Sequence, residues 1–126
     1  RYEEIGAQIV DAAYHVHREL GPGLLESVYE ICMIEELKDR GLFVENQVRI
    51  PVFYKGKELK KDFIVDILVE DLIIIELKAV EDLLPVHEVQ LVTYLKLADK
   101  HLGFLINFNV SLIKSGIKRK INGYIL

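Results

Sequence analysis

The chain has 126 residues, of which 51% are hydrophobic and 29% are charged, and its formal net charge is −4 at pH 7. This mixture is typical of a globular protein and excludes a disordered chain, and the length predicts a single domain over residues 1–126. The longest apolar stretches are far below the roughly 18 residues of a membrane span, and the negative charge gives no overall attraction for nucleic acid.

The N-terminal residues and the cysteine content indicate the same cellular compartment. The N-terminus shows no basic start followed by a short apolar run, so nothing in it indicates secretion. The single cysteine, Cys32, cannot form an intramolecular disulfide, which fits a reducing cytoplasm. Because Cys32 lies among the apolar positions of a predicted helix, we interpret it as a core side chain. We therefore expect a cytoplasmic protein.

Two helices are predicted in the first third of the chain. Apolar residues recur at spacings of three and four over about 3–20, which predicts an amphipathic helix. Gly21-Pro22-Gly23 ends that pattern. A second helix is predicted over about 24–40, with Gly41 placed as its C-terminal cap.

The rest of the chain reads as strands interrupted by one helix. Turn residues at 54–58 and 70–71 predict two hairpins. The predicted elements are strands at 44–54, 59–69 and 72–80, a helix at about 85–99, a strand at 102–108, a turn at 110–114 and an edge strand at 117–125. This order predicts an α/β fold with a central mixed sheet flanked by helices.

Charges interrupt two of the predicted strands. Glu76 and Lys78 are two residues apart on an apolar strand, so they point to the same face, about 6.6 Å apart along it. The preceding strand carries one acid, Asp66, among apolar neighbours. If the intervening turn takes three residues, 70–72, Asp66 faces Glu76 directly. A two-residue turn would instead place Asp66 opposite Ile75.

Two carboxylates held side by side repel each other, and a hard divalent cation with oxygen ligands keeps both ionised. We therefore predict Mg²⁺ or Mn²⁺ between Asp66 and Glu76. Lys78 would stabilise charge on a phosphate, or orient and deprotonate an attacking water. The alternative is a buried salt bridge between Glu76 and Lys78, with Asp66 as an unrelated edge acid.

The spacing of these charges resembles the signature of the PD-(D/E)XK nucleases. In that superfamily an acid on one strand is followed by Glu-x-Lys on the next, as Asp66 is followed by Glu76-Leu77-Lys78. Val65 stands where the proline of the signature would be. The resemblance implies a restriction-endonuclease-like core, with a metal held by the two acids and the main-chain carbonyl of Leu77.

Two helix motifs extend the resemblance. Residues 23–29 contain Gly-x-x-Glu-x-x-Tyr, the motif of the GxxExxY family, and the likeness to that family covers most of the chain. Gln90-x-x-x-Tyr94 resembles a motif of RecB-type nucleases, and residues four apart share a helical face. The resemblance implies that Glu26 completes the metal site directly or through a water, and that Gln90 and Tyr94 position substrate or the lysine. Alternatively, Glu26 only complements its helix dipole and Tyr29 packs with a bonded hydroxyl.

Basic side chains form two candidate contacts for nucleic acid, one at the first hairpin and one near the C-terminus. They would bind phosphates without reading sequence. The candidates are Lys55, Lys57, Lys118, Arg119, Lys120 and, from the family motif, Tyr29. The alternative is solvated charge that protects a sheet edge.

The sequence thus predicts a Mg²⁺- or Mn²⁺-dependent nuclease that hydrolyses phosphodiester bonds of nucleic acid, with DNA as the expected substrate and no membrane partner. The alternative is a nuclease-fold domain with little turnover that binds nucleic acid or protein. A small-molecule enzyme with a salt-bridged core is a third hypothesis, but no cofactor motif supports it. Sequence-specific cutting by so small a domain would require a homodimer or another partner.

Overall fold

A computed structural model describes residues 1–125 of the chain. The elements in chain order are α1 (Tyr2–Leu20), α2 (Glu26–Asp39), β1 (Val44–Tyr54), β2 (Lys57–Val69), β3 (Ile73–Lys78), α3 (Pro85–Ala98), β4 (Leu102–Asn107), α4 (Ile113–Gly116) and β5 (Ile117–Ile121). Within residues 1–125, no helix combines the length and the apolar character needed to cross a bilayer.

The five strands form one mixed sheet in the order β1-β2-β3-β4-β5. Neighbouring strands are antiparallel, apart from β3 and β4, which run parallel and are joined through α3. The parallel pair forms the apolar centre of the sheet. Helices cover both faces here, so the side chains that point to either face are buried. The predicted mixed sheet with three successive antiparallel strands is confirmed.

Helices α1 and α2 cover one face of the sheet. The apolar stripe of α1 is buried against the central strands, with Ile9, Ala12 and Ala13 fully buried. The apolar residues whose spacing predicted this helix are therefore the ones that pack it on the sheet. At the end of α2, the N–H of Gly41 bonds to the Lys38 carbonyl, and Gly41 has a φ of 80°. This confirms the predicted glycine cap, since glycine adopts that conformation without strain.

Helix α3 packs on the opposite face. Leu91 and Leu95 are buried there against apolar side chains of β2, β3 and β4. Gly103 on β4 permits the close approach, because a Cβ atom at that position would lie 2.9 Å from Leu91 Cδ1 and 3.2 Å from the Ile74 carbonyl oxygen. The helix is thus seated tightly over the centre of the sheet.

The C-terminal part differs from the prediction. The final strand ends at Ile121 and does not continue to residue 125, because the chain turns after it at Gly123, which has a φ of 78°. Of the predicted turn at 110–114, residues 110–112 form bends, and the one-turn helix α4 begins at Ile113. Gly116 closes that helix against β4, where a Cβ atom would lie 2.1 Å from the Asn107 carbonyl oxygen.

The turn between β2 and β3 occupies residues 70–72, and Val69 faces Ile73 across it. Its first two residues have φ angles of 54° and 53°, in the left-handed region. The predicted three-residue turn is confirmed. The ladder ends at Ile67 and Ile75, and the same register continued by one residue brings Asp66 opposite Glu76.

Candidate active site

Asp66 and Glu76 meet where β2 and β3 separate. The main-chain N–H of Asp66 donates a 2.8 Å hydrogen bond to Oε2 of Glu76. The main-chain N–H of Leu77 donates a 2.8 Å bond to Oδ2 of Asp66. At this end of the strand pair, the two carboxyl groups therefore accept the hydrogen bonds that main-chain carbonyls accept in a regular ladder. Each carboxyl group bonds to the main chain of the other strand, so the two groups lie close together.

The charge of this carboxyl pair is incompletely compensated. Burial, followed by the charge of Asp66 and a side-chain hydrogen bond with it, raises the pKa of Glu76 from 4.5 to about 8. The hydrogen bond from the Asp66 main chain and the charge of Lys78 act in the opposite direction. Without a cation, this raised pKa favours retention of a proton by the pair. Two hard oxygen donors in this state fit a divalent cation, which would replace the proton.

Lys78 lies beside this pair, partly buried on the same strand as Glu76. Burial and the charge of Asp66 raise the pKa of Glu76 and of Glu26, and the positive charge of Lys78 opposes this rise. Among residues 1–125, Lys78 forms no ion pair within 4.0 Å. The described residues thus do not contain the buried salt bridge that was the alternative explanation for these charges.

Glu26 occupies the first turn of α2 and is partly buried. Burial raises its pKa, the charge of Asp66 raises it further, and Lys78 opposes both effects. Glu26 is therefore within electrostatic range of the strand residues. Within residues 1–125, however, no group of three His, Cys, Asp or Glu side chains is arranged as a preformed metal site.

Gln90 and Tyr94 are four residues apart on α3 and share one face of the helix, as their spacing predicts. Burial raises the pKa of Tyr94, and the negative charges of Glu76 and Asp66 raise it further. The Tyr94 ring stacks on Phe63 of β2, with centroids 4.3 Å apart. The helix motif therefore borders the carboxyl pair.

The structure places Tyr29 in the core and not on a surface that is open to nucleic acid. Its side chain is completely buried and stacks on Phe108, with ring centroids 4.5 Å apart. The hydroxyl donates to the Gly21 carbonyl at 2.6 Å and accepts from the Leu24 N–H at 3.1 Å. Tyr29 instead fixes the loop that leads into Glu26, which is the packing alternative for this tyrosine.

The C-terminal cations do not form one basic patch. Arg119 pairs with Glu3 of α1 at 2.7 Å, whereas Lys120 pairs with Glu88 of α3 at 2.6 Å. Lys118 also acts on Glu88, lowering its pKa. The strand therefore directs Arg119 to one face of the sheet and the two lysines to the other, so the three cations do not share one face. Lys55 and Lys57, by contrast, are exposed at the first hairpin.

Asn107 was not among the predicted site residues. It is 2% exposed and lies directly opposite Lys78 in the parallel register. Its side chain binds the main chain of Val80, just beyond the lysine. A polar residue that ends the apolar run of β4 was the available signal, because a buried amide requires hydrogen-bond partners.

The mixed sheet and its flanking helices, with paired acids at the end of a central strand, define the restriction-endonuclease-like α/β class. In a comparison with protein families, residues 3–120 match the PD-(D/E)XK nuclease superfamily. The chain belongs to this superfamily. Comparisons with curated proteins and with solved structures found no match.

Proposed function

We propose that the protein is a divalent-metal-dependent nuclease that hydrolyses phosphodiester bonds of nucleic acid, with DNA as its substrate. The observation that supports this proposal is the convergence of Asp66 and Glu76, hydrogen-bonded through their strands, with Lys78 beside them. Membership of the PD-(D/E)XK superfamily supports the same reaction class. The motif at residues 23–29 further supports assignment to the GxxExxY group.

Asp66 and Glu76 would hold Mg²⁺ or Mn²⁺. One oxygen of each carboxyl group accepts a main-chain N–H, so the other oxygen is the proposed ligand. Leu77 would contribute its main-chain carbonyl, because its side chain is fully buried in the core under α1 and α2. Glu26 would act through a water. Once bound, the cation would act as a Lewis acid on the scissile phosphodiester.

Lys78 would stabilise the charge that develops on the phosphate or help to deprotonate the attacking water. An ammonium group that is not engaged in an ion pair keeps its hydrogen-bond donors available for this purpose. Tyr94, stacked on Phe63, and Gln90 on the same helical face would position the substrate or the lysine. These roles use only side chains that border the carboxyl pair.

A binding domain with little turnover is the second candidate function. It is favoured by one observation: one oxygen of each carboxyl group already accepts a main-chain N–H, so both groups have a hydrogen-bond partner without any cation. Such a domain would bind nucleic acid or another protein, as a homodimer or with a partner. The lone Cys32 supports a cytoplasmic location for either function.

Cleavage assays decide between the two candidates. Purified protein is incubated with DNA and RNA, in single- and double-stranded forms, in the presence of Mg²⁺, Mn²⁺ or EDTA. We expect metal-dependent cleavage that falls roughly 100-fold or more in Lys78→Ala. Lys96→Ala, an exposed lysine on α3, is the matched control and should cleave normally. Cleavage that persists unchanged in Lys78→Ala would argue for a contaminant, and absence of cleavage under every condition would support the binding domain.

A further inference from the structure

Strands β1 and β2 extend beyond the rest of the sheet as a two-stranded ribbon. Within the described chain, β3 pairs with β2 only up to Ile67, so residues 57–65 of β2 pair with β1 alone. At about 3.3 Å per residue, this segment is roughly 30 Å long. It begins beside Asp66 and ends at the Lys55-Gly56 turn. We call the ribbon formed by residues 48–65 the basic arm.

The basic arm carries positive charge in an acidic protein. Residues 49–62 contain five basic and two acidic side chains, a net charge of +3, while the whole chain has −4. Arg49 pairs with Asp62 at 3.4 Å. Within the described part of the chain, four lysines of the arm form no ion pair: Lys55, Lys57, Lys60 and Lys61. These cations are available to an external anion, in contrast to Arg119 and Lys120 on β5.

The base of the arm is fixed to both helices that carry site residues. Gln47 lies opposite Asp66 with a φ of 51°, and its side-chain amide contacts both carboxylate oxygens of Glu30 on α2, at 3.0 and 3.1 Å. On the other side, Phe63 stacks on Tyr94 of α3. The arm is therefore held in one direction relative to the carboxyl pair.

We propose that the basic arm binds along duplex nucleic acid, so that the strand to be cut passes the carboxyl pair. This inference rests on the proposed nuclease function and names a duplex as its substrate. A two-stranded ribbon fits a major groove about 12 Å wide, and its lysines would contact phosphates without reading sequence. Charge that only protected an edge would not require the exposed aromatic rings beside it, yet Phe53 and Tyr54 are 58% and 63% exposed. Those rings offer apolar contacts to sugars and base edges.

Binding measurements in EDTA test the arm without cleavage. Lys55→Gln/Lys57→Gln is compared with the matched control Lys38→Gln/Lys114→Gln, which removes two exposed lysines elsewhere. The probes are a DNA duplex and a single strand of equal length. We expect the arm variant to bind the duplex more weakly, and the slope of log affinity against log salt to become shallower by about 1.8, since each phosphate contact contributes about 0.9. The control should keep the wild-type affinity and slope.

The arm proposal is overturned if both variants bind the duplex alike, or if the arm variant loses single-strand binding more than duplex binding. Sedimentation measures whether the arm variant changes self-association. If self-association changes and nucleic-acid binding does not, the arm binds a second copy of the chain and the proposal is overturned. The experiments can refute the arm proposal and the nuclease proposal separately. Metal-dependent cleavage with arm-independent binding removes only the arm, whereas arm-dependent binding without cleavage removes only the nuclease.

Discussion

Asn107 and Val80 are joined by reciprocal hydrogen bonds between a side chain and a main chain. The Val80 N–H donates to Oδ1 of Asn107 at 3.0 Å, and Nδ2 donates to the Val80 carbonyl oxygen at 2.9 Å. The Phe108 N–H also donates to the Lys78 carbonyl oxygen at 3.0 Å. These bonds continue the pairing of the two central strands beyond their regular ladder. Lys78 is therefore held at its main chain and does not lie at a frayed strand end.

Replacement of Asn107 with alanine removes the partners of both Val80 groups. We expect the free energy of unfolding to fall by about 1–3 kcal/mol, because these partly buried groups lose their hydrogen bonds. Denaturant titration measures the loss. Asn109→Ala is the matched control, since Asn109 takes part in this cluster through its main-chain N–H. Equal stabilities of the two variants would show that the Asn107 amide does not secure the chain after Lys78.

Divalent-metal binding should depend on Asp66. Calorimetric titration with Mn²⁺ is expected to show one site in the wild type and at least tenfold weaker binding in Asp66→Asn, which removes one charged ligand. Asp62→Asn is the control, because Asp62 is exposed on the same strand and pairs only with Arg49 among the described residues. A site that survives in Asp66→Asn and weakens in Asp62→Asn would place the cation elsewhere.

The stability of the metal-free protein should decrease as pH rises from about 4.5 to 8. Over this range the unfolded chain has released the proton of Glu76, whereas the raised pKa makes the folded protein retain it. The stabilisation is thus complete below the lower value and lost by the upper one, at no more than about 1.4 kcal/mol per pH unit. Thermal melting in EDTA measures the decrease. Added Mn²⁺ should restore stability most strongly near pH 8, where it competes least with the proton.

Glu76→Gln tests the source of this pH dependence. The amide oxygen can still accept the Asp66 N–H but carries no titrating group, so the decrease should be much smaller. Glu58→Gln, at an exposed glutamate near the start of β2, should behave as the wild type. If Glu76→Gln loses stability with pH as steeply as Glu58→Gln, a different group is responsible.

Tyr29→Phe should separate packing from substrate binding. The ring can keep its stacking on Phe108, whereas the hydrogen bonds to Gly21 and Leu24 are lost. We expect a loss of about 1 kcal/mol for each bond and unchanged affinity for nucleic acid. Tyr14→Phe is a suitable control for the loss of a tyrosine hydroxyl. Weaker nucleic-acid binding at unchanged stability would contradict the buried role.

Local patterns were sufficient for much of the fold and for the carboxyl pair. The predicted β1 agrees with the structure over residues 44–54, because apolar alternation and a turn at Lys55-Gly56 mark its limits. The convergence of Asp66 and Glu76 followed from strand periodicity and turn length. Both signals lie within a few residues of the features they determine.

The features that the sequence did not predict depend on contacts between residues that are distant along the chain. Tyr29 has a motif that suggests function, but its burial is set by Phe108, which follows β4. Alternation alone separates Arg119 from its lysine neighbours, yet the acids that neutralise them belong to α1 and α3. The role of Asn107 likewise requires the parallel pairing that brings β4 beside Lys78.

The length of the β2–β3 turn has a consequence for how this protein tolerates change. Because side chains on a strand alternate, loss or gain of one residue within 70–72 would rotate Asp66 away from Glu76 without altering either acid. Substitutions in the turn do not change the number of residues, so they leave the register unchanged. Single-residue deletions would therefore abolish the proposed metal binding from a position that contributes no ligand.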